Sequence, residues 1–479
     1  MSHVSACLTQ TGYDTGVISS VLIYLSTDLG HKLSNGEKEL VTSITSGGAL
    51  VGTVVAGLMA DRYGRKRVIY VGCALFVLGA ILQTTAFGII QMTSGRLVVG
   101  LGIGSVAMVV PLYIAEISPA RYRGKLIGTN TLSITFGQLV SYGAGGLFGS
   151  VSHGWRWMVG LAAAPAILLA CLLPFLPESP RQLLLHQKTN EASKVLQQIF
   201  PTATPEQIQH KIRHISAHFR LSKELQDGKS KWWSFKQLFV VPANLRATAA
   251  ACGVMALSQF TGFNNLMYYS ATLFSVMGFK NPVGVGSIVA AVNCVFAILY
   301  INVVDRFGRR RVLLCTVLGV SFFLALVAAS LHYTEISNDM SIPPDVEVGW
   351  SAYLVLISMM GLVVFYASGI GPLAWVSAEF FPMEVRSLGT MVMTISNWAP
   401  NILISSTFLT LMEKTTPTGT FASYSAICCV GWIAIYFCYP EVKGLTLESI
   451  RDIFEDGFGV QKARDIQKEI NEKMKTMKI

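Results

Sequence analysis

Several side chains that can donate and accept hydrogen bonds lie inside stretches that are otherwise apolar. A side-chain amide offers both donors and acceptors, and an unsatisfied polar group is costly in a hydrocarbon environment. Such groups need partners, either on a neighbouring segment or in a bound molecule. The amides placed in this way are Gln138, Gln259, Asn264, Asn265 and Asn397.

Two ionisable residues also lie in apolar surroundings. Asp14 follows Gly12 and Tyr13, and Arg96 opens an apolar run. Charges at such positions are costly and indicate a functional site. The alternatives are a simple helix-to-helix hydrogen bond for Asp14 and, for Arg96, a long side chain that snorkels to the membrane surface.

The composition is that of a membrane protein. Hydrophobic residues make up 52% of the 479 residues and charged residues 13%, against roughly 25% charged in soluble domains, and the mean hydropathy is +0.51. Eight apolar runs approach the ~20 residues that cross about 30 Å of hydrocarbon as a helix: 42–60, 68–90, 97–115, 157–176, 284–304, 312–331, 351–378 and 420–440. Four runs rich in Gly and Ser complete twelve predicted spans: 12–27, 126–149, 246–277 and 387–411. The sequence therefore predicts an all-α polytopic membrane protein.

Two motifs occur twice. DRYGRKRV at 61–68 returns as DRFGRRRV at 305–312, and the two copies lie roughly 240 residues apart, as parallel repeats of one half-molecule would. PESPR at 177–181 is echoed by PEVKG at 440–444. The repeats predict two six-helix halves with a substrate held between them. The expected divisions are a first half at 1–181, a helical linker at 182–240, a second half at 241–440 and a polar tail at 441–479.

Predicted span 7 must be broken if its amides are to face one cavity. Gln259 and Asn264 are five positions apart, about 140° out of phase on a regular helix. Gly262 lies between them and is the expected break. Gly369, Gly371 and Pro372 predict a similar interruption in span 10, and broken helices are where transporters hold substrate.

The basic residues predict the orientation. Lys and Arg cluster at 61–68, 121–125 and 305–312, whereas the loop at 332–350 carries four acidic residues and no Lys or Arg. By the positive-inside rule, both termini and the basic loops face the cytoplasm. The net charge of +10 follows from this bias and needs no nucleic-acid partner.

The basic loops also contain repeated acidic residues, which topogenic charge alone does not explain. We expect ion pairs between span ends that hold one conformation and break in another. The residues of this expected charge network are Asp61, Arg62, Arg65, Glu116, Arg123, Glu178 and Arg181 in the first half and Asp305, Arg306, Arg309, Glu379, Arg386 and Glu441 in the second.

Six motifs in order resemble the sugar porter branch of the major facilitator superfamily across essentially the whole chain. They are D-R-x-G-R-[KR] in both halves, G-R-x-x-x-G-x-G-x-G at 95–104, P-E-S-P-R at 177–181, G-x-N-x-x-x-Y-Y at 262–269, G-P-x-x-W-x-x-x-E-x-x-P at 371–382 and P-E-x-K-G-x-x-L-E at 440–448. The resemblance implies the major facilitator fold of twelve transmembrane helices. GYDTGVISSVLI and SQFTGFNNLMYYSATLF look most like fungal myo-inositol transporters.

The resemblance also implies roles for individual residues. Gln138, Gln259, Asn264 and Asn397 match sugar-contacting positions, and Asn265 adjoins them. Trp375 and Trp398 match the aromatic walls of the cavity, although a Trp can instead lie at the lipid interface. Tyr268 and Tyr269 match a pair that closes the cavity from outside. In proton-coupled members, an Asp at the position of Asp14 alternately binds a proton and pairs with an Arg at the position of Arg96.

The expected function is alternating-access transport of a neutral polyol or sugar, myo-inositol above all, together with a proton, by a plasma-membrane monomer. The alternatives are a passive facilitator and a nutrient sensor that does not transport. The sequence contains none of the G-x-S-x-G, Walker or H-E-x-x-H motifs of common enzymes and no C-x-x-C pair. We therefore expect no enzymatic activity, no metal and no cofactor.

Two features depart from the family pattern. The chain begins MSHVSACLTQT, with Thr11 where family members carry a Phe, and a missing upstream exon or a wrong start codon would explain this. The usual pair of Gln residues in span 7 is reduced to one, because Ser258 precedes Gln259. A shorter hydroxyl at that position could alter selectivity.

Overall fold

The computed structural model describes residues 2–118, 120–226, 231–334, 348–381, 385–442, 453–455 and 457–476. For some helical residues the structure describes the backbone but not the side chain: 2–7, 61, 115, 120–128, 214, 218–226, 231, 232, 234, 302–306, 387 and 469–476. The described chain is almost entirely helical.

The first half contains the helices α1 to α7. Their bounds are α1 Ser2–Tyr24, α2 Asn35–Tyr63, α3 Arg65–Thr84, α4 Ile89–Ile117, α5 Ala120–Phe148, α6 Gly154–Leu161 and α7 Ala163–Leu172, with a short 3₁₀ turn at Leu173–Phe175. Four further helices follow before the second half: α8 Pro180–Leu185, α9 Thr189–Ile199, α10 Pro205–Gln226 and α11 Lys231–Val240. The helical linker predicted at 182–240 is thus confirmed as helical, while its limits as a domain stay a prediction.

The second half contains the helices α12 to α20. They are α12 Pro242–Phe260, α13 Phe263–Val276, α14 Pro282–Phe307, α15 Arg309–His332, α16 Trp350–Phe365, α17 Gly371–Val376, α18 Arg386–Ser405, α19 Phe408–Thr415 and α20 Pro417–Cys438. A π-helical segment, Tyr366–Ile370, joins α16 to α17, and a 3₁₀ turn follows at Ser377–Phe380. Within the polar tail, the described residues Val460–Thr476 form α21.

Hydropathy separates the spans into the two classes that the sequence predicts. Eight described helical segments are long and apolar enough to cross a membrane, and they coincide with the eight apolar runs. The four runs rich in Gly and Ser correspond to α1, α5, α12–α13 and α18. These less apolar helices carry Asp14 and the five predicted amides, because helices that face one another inside the bundle can bear polar groups that lipid would not tolerate.

Close helix contacts explain the glycine-rich motif at 95–104. A Cβ added to Gly104 would lie 2.0 Å from the carbonyl oxygen of Ala49 on α2, and one at Gly100 would lie 2.2 Å from that of Thr45. Only glycine lets the backbones of α2 and α4 come this close. The packing of α4 places Arg96, near the start of the same motif, against Asp14 on α1 and Val41 on α2.

The two ends of the bundle differ, and we name them by their residues. The basic end carries the loops at 61–68 and 305–312, and the far end is the opposite one, with the α1–α2 loop at 25–34 and helix α19. The segment 335–347, which contains the acidic residues of the loop at 332–350, lies outside the described residues.

The two halves contact each other at the far end. Oγ of Ser19 on α1 lies 3.2 Å from Oγ of Ser270 on α13 and accepts a hydrogen bond from the Ala271 amide at 3.0 Å. The hydroxyl of Tyr142 on α5 donates to the carbonyl of Met267 at 2.8 Å. These hydrogen bonds hold the two halves together at the far end in this conformation.

Candidate functional site

The chain breaks between α12 and α13 at Gly262, as predicted. Gly262 has φ of 73°, a left-handed conformation that favours glycine. A Cβ at this position would lie 2.7 Å from Cδ2 of Tyr424, so space as well as backbone angle excludes a larger residue. The break redirects the chain so that Asn264 on α13 faces back toward Gln259 on α12.

Three of the predicted amides form one hydrogen-bonded cluster. Nδ2 of Asn264 donates to Oε1 of Gln259 at 2.5 Å, and Nε2 of Gln259 donates to Oδ1 of Asn397 at 2.6 Å. Gln259 and Asn397 are buried, whereas Asn264 is partly exposed. The arrangement offers a row of donors and acceptors that a ligand with several hydroxyl groups could replace one by one.

Asn401 is a member of this cluster that the sequence analysis missed. Its Nδ2 donates to Oε1 of Gln259 at 2.8 Å, and its Oδ1 accepts from Oγ of Ser46 on α2 at 2.6 Å. The hydroxyl of Tyr268 lies 3.5 Å from the same Oδ1. Asn401 follows Asn397 by four positions, so the shared helix face was a usable signal. Through Ser46, the cluster reaches from the second half to the first.

Gln138 also joins the two halves. Its Oε1 accepts a hydrogen bond from Nδ2 of Asn293 on α14 at 2.8 Å, and both side chains are buried. Asn293 was not singled out from the sequence, because one amide in an apolar helix more often bridges helices than binds a ligand.

Asn265 and Tyr269 lie away from the amide cluster. Nδ2 of Asn265 donates to the carbonyl of Ile404 at 3.0 Å and lies 3.3 Å from the hydroxyl of Tyr424. The hydroxyl of Tyr269 donates to the carbonyl of Ser405 at 3.1 Å. Both side chains are fully buried and anchor α13 to the far-end turns of α18. The adjacent residues Asn264 and Tyr268 point instead toward the cluster.

The aromatic residues predicted as cavity walls are partly buried. Trp375 on α17 packs against a hydrophobic cluster formed by residues of both halves, and Trp398 on α18 packs against a cluster formed by residues of the first half. Nε1 of Trp398 is buried and has no hydrogen-bond partner among the described residues. Because an indole N–H can only donate, this group is ready to donate to a ligand hydroxyl.

The predicted interruption of span 10 is confirmed as the π-helical segment Tyr366–Ile370. The ring of Tyr366 stacks on that of Phe263 with centroids 3.8 Å apart and planes 9° apart. This pair joins the irregular part of span 10 to the first residue after the break in span 7. The two interruptions therefore lie side by side, an arrangement that a change of conformation could use as a joint.

Asp14 and Arg96 form a buried ion pair. Nη1 of Arg96 lies 2.9 Å from Oδ1 of Asp14, and the two side chains are 2% and 3% exposed. Nε of Arg96 donates to the carbonyl of Val41 at 3.3 Å, and Oδ2 of Asp14 has no partner among the described groups. Arg96 therefore does not snorkel to the surface. Removing one charge of such a pair is strongly destabilising, because the other charge is then buried without a partner.

The whole chain is similar to known proteins of one family. The protein family described as "Sugar (and other) transporter" matches residues 2–454 of this chain. The chain is 41% identical over 459 residues to myo-inositol transporter 1 of Cryptococcus neoformans, covering 96% of this chain and 81% of that protein. It is 42% identical over 448 residues to myo-inositol transporter 2 of Schizosaccharomyces pombe, covering 93% and 80%.

The chain belongs to the sugar transporter family. A solved structure of the proton:xylose symporter XylE bound to 6-bromo-6-deoxy-D-glucose superposes with a TM-score of 0.78 at 24% identity, covering 95% of this chain and 98% of that one. This likeness confirms the major facilitator fold. The protein is therefore an integral, multi-pass membrane transporter of a sugar or polyol, and not an enzyme.

At the basic end of the transporter, the first half shows part of the predicted charge network. Nη2 of Arg65 lies 3.1 Å from Oε1 of Glu116, and Arg65 also donates to Oε1 of Gln182 on the linker helix α8. A Cβ at Gly64, where φ is 97°, would lie 3.1 Å from Oε2 of Glu178. The carboxylate of Glu178 thus lies against the turn between α2 and α3.

The second half repeats this arrangement. Arg309 is bonded to Glu379, and the backbone amides of Arg309 and Arg310 donate to the two carboxylate oxygens of Glu441 at 3.1 and 3.0 Å. A Cβ at Gly308, with φ of 86°, would lie 2.7 Å from Oε2 of Glu441. The contacts of Arg65 reach Glu116 in the first half and Gln182 on the linker helix, and those of Arg309 reach Glu379 in the second half and Glu441 at the start of the tail. None of these described contacts joins the first half to the second.

The remaining predicted network residues have different surroundings. Arg62 lies over the ring of Tyr63 at 5.4 Å, Arg181 is exposed, and Nε of Arg386 donates to the carbonyl of Phe381 at 3.3 Å. The side chains of Asp61, Arg123, Asp305 and Arg306 lie outside the described residues. Within the part of the chain that the structure describes, no group of three or more His, Cys, Asp or Glu side chains could hold a metal ion.

Proposed function

We propose that the transporter carries myo-inositol, or a closely similar cyclic polyol, by alternating access and together with a proton. The observation that carries this proposal is the amide cluster of Gln259, Asn264 and Asn397 at the break in span 7. Support comes from the relatives, which are about 40% identical and are named as myo-inositol transporters. Fold similarity to a proton:xylose symporter is consistent with it.

Substrate binding would replace hydrogen bonds within the cluster by hydrogen bonds to the ring hydroxyls. Each amide can donate to one hydroxyl and accept from another, so the exchange leaves few groups unsatisfied. The indole N–H of Trp398 gains a partner in the process, and the indole ring offers a face for the C–H side of the polyol. Ser258, which precedes Gln259 on α12, is buried and donates its hydroxyl to the carbonyl of Met255 at 2.7 Å.

Coupling to protons would depend on the ion pair between Asp14 and Arg96. If α1 and α4 separate during the cycle, Asp14 is left as a buried carboxylate without its partner, which is far more costly than a neutral carboxylic acid. Proton uptake by one carboxylate oxygen therefore accompanies the separation. When the pair re-forms, the proton leaves to water at the side that is then open.

The orientation proposed here places the basic end in the cytoplasm and the far end outside, with both termini cytoplasmic, since basic loops are retained on the cytoplasmic side. We further propose that the protein is a monomer of the plasma membrane. In the present conformation, the contacts of Ser19 with Ser270 and of Tyr142 with Met267 would then close the site to the outside. We propose that the charge network at the basic end rearranges when the halves rock.

The direct test is uptake of labelled myo-inositol into proteoliposomes with and without an inward proton gradient, with glucose as competitor. Accumulation above the outside concentration that a protonophore abolishes supports symport. Equilibration without accumulation identifies a facilitator, and absence of both uptake and counterflow contradicts transport of myo-inositol. The full-length protein would also be assayed with an added upstream apolar segment, because the first residues differ from the family pattern.

Alternating access has its own test in the double variant Ser19→Cys with Ser270→Cys. The two hydroxyl oxygens lie 3.2 Å apart across the halves, a separation from which small side-chain movements can form a disulfide. Oxidation should stop uptake and reduction should restore it. Each single variant serves as a control, and undiminished uptake by the fully oxidised pair would contradict the proposal.

A further inference from the structure

Glu39 forms a contact between the halves that no part of the site described above requires. It lies in the first turns of α2, and its residue is 4% exposed. Oε1 accepts a hydrogen bond from the backbone amide of Thr410 at 2.7 Å, and Oε2 accepts one from Oγ1 of the same residue at 2.7 Å. Both carboxylate oxygens of Glu39, in the first half, thus accept hydrogen bonds from one residue of the second half.

The contact satisfies a helix that does not cap itself. Thr410 is the third residue of α19, Phe408–Thr415, and the first amides of a helix have no partner within it. A side chain at the residue before the helix usually accepts such a bond, but Thr407 donates its hydroxyl to the carbonyl of Leu403 at 2.7 Å instead. Glu39 supplies the missing acceptor from the other half of the protein.

Charge makes this contact specific to the closed far end. A buried carboxylate is tolerated only when it is well hydrogen-bonded, and its bonds to amide and hydroxyl donors are stronger than neutral ones. The positive end of the α19 dipole adds to the attraction. If the far end opens, water must replace both hydrogen bonds, and α19 loses its side-chain cap.

A second, weaker contact lies beside the first. Nδ2 of Asn35 on α2 donates to Oε2 of Glu413 on α19 at 3.2 Å, at the exposed surface. Exposed polar contacts contribute little, so this bond fixes the register of α2 on α19 more than it adds stability. Together the two contacts dock the first turn of α2 on α19.

We propose that Glu39 is the latch of the far end: its carboxylate caps α19 across the two halves when that end is closed and must leave α19 each time that end opens. The proposal rests on the alternating-access cycle proposed above and adds the residue that sets the balance between its two states. Removing one charged hydrogen-bonded group changes such an equilibrium by roughly tenfold to a hundredfold. Loss of Glu39 therefore shifts the population toward far-end opening by that factor.

Hydrogen exchange of the full-length protein in nanodiscs, without substrate, tests the latch. The reporters are peptides of α19, peptides around Ala271 on α13, and basic-end peptides at the starts of α3 and α15. The amide of Ala271 donates to Ser19 across the halves, whereas the described hydrogen bonds of Glu39 go to Thr410. In Glu39→Ala we expect exchange to rise at α19 and, by roughly tenfold or more, around Ala271, and to fall at the basic end.

Control variants separate a latch from a merely local cap. Glu37 lies on the same helix and caps its own start through Ser34, so Glu37→Ala should raise exchange at the start of α2 alone. Thr410→Val removes one of the two bonds and should give a smaller shift with the same pattern at both ends. Glu39→Gln keeps the size and one acceptor, and serves if Glu39→Ala does not fold.

The outcomes are decisive. A rise confined to α19 would show that Glu39 only caps that helix, and the proposal would be wrong. Unchanged exchange at every reporter in both Glu39 variants would overturn it as well. Failure of the proposed transport cycle would appear elsewhere, as uptake by the oxidised Ser19→Cys, Ser270→Cys protein, so the two results can be told apart.

Discussion

Nε2 of Gln259 donates a hydrogen bond of 2.6 Å to Oδ1 of Asn397, 138 positions later in the chain. The bond connects the end of α12, just before the break at Gly262, to the middle of α18. Because Oε1 of Gln259 accepts from both Asn264 and Asn401, this one side chain holds four amides together. Gln259 is thus the residue whose removal should disturb the cluster most.

Replacing Gln259 by Ala should reduce uptake to background while the protein still reaches the membrane. The change removes the shared partner of three amides and leaves their donors and acceptors unsatisfied. The matched comparison is Asn264→Ala with Asn265→Ala, since Asn264 belongs to the cluster and Asn265 bonds to Ile404 and Tyr424. Asn264→Ala should raise KM strongly, whereas Asn265→Ala should lower Tm and change KM little. Wild-type uptake by Gln259→Ala would contradict the binding site.

Replacing Trp398 by Phe tests the unpartnered indole N–H. The ring face is kept and one donor is lost. One neutral hydrogen bond contributes about 1 kcal/mol, so we expect KM for myo-inositol to rise by roughly fivefold to tenfold. Trp432→Phe is the control, because its Nε1 donates to the carbonyl of Leu314 at 2.9 Å, between α15 and α20. That variant should change Tm and leave KM unaltered. Equal KM values for the two variants would argue against a substrate role for Trp398.

Replacing Asp14 by Asn should abolish accumulation against a gradient but preserve equilibration and counterflow. The amide keeps a hydrogen bond to Arg96 but cannot gain or lose the proton. Arg96 is then a buried cation without a charged partner, so Tm should fall as well. The measurement is uptake driven by a proton gradient beside counterflow without one. Concentrative uptake by Asp14→Asn would exclude Asp14 as the coupling group.

Replacing Gly262 by Ala should impair both stability and transport. The left-handed backbone costs an L-residue about 1–2 kcal/mol, and the added Cβ would lie 2.7 Å from the ring of Tyr424. Gly253→Ala is the control in the same span, since a Cβ there meets nothing within 4 Å and helix interiors favour Ala over Gly by about 0.5–1 kcal/mol. Thermal unfolding and uptake would be compared. A Tm of Gly262→Ala at or above that of wild type would show that the break does not need glycine.

A carboxylate in the α1–α2 loop should make the far end sensitive to acid. Oδ2 of Asp28 accepts from Nε1 of Trp155 at 2.6 Å and from Nδ1 of His153 at 2.7 Å. These bonds, that of Trp155 first, hold the pKa of Asp28 below its usual value. The stabilisation is present above the unfolded pKa of about 3.9 and is lost as the pH falls through the lower, folded value.

Thermal unfolding of the wild type and of Asp28→Asn measures this contribution. The difference in Tm should shrink on acidification below about pH 4. Glu413→Gln, on the surface of α19, is a control with an exposed carboxylate. A difference in Tm that grows toward acid pH would contradict the assignment.

Much of the architecture could be predicted from local patterns. The apolar runs predicted eight spans, and the Gly- and Ser-rich runs predicted the four spans that carry the polar site, because composition within one helix reports what surrounds it. The break at Gly262 followed from the phase of Gln259 and Asn264 on one helix. These inferences need only distances along a single segment, which the helical repeat determines.

The rest depended on how the helices pack. Adjacent residues on a helix point about 100° apart, so Asn264 joins the cluster and Asn265 does not, and the sequence alone did not separate them. The partners Asn293, Asn401 and Ser46, and the pairing of Glu39 with Thr410, come from segments far apart in the chain. Periodicity tells which side of a helix a residue occupies, but only the packing of the helices decides which residue it meets there.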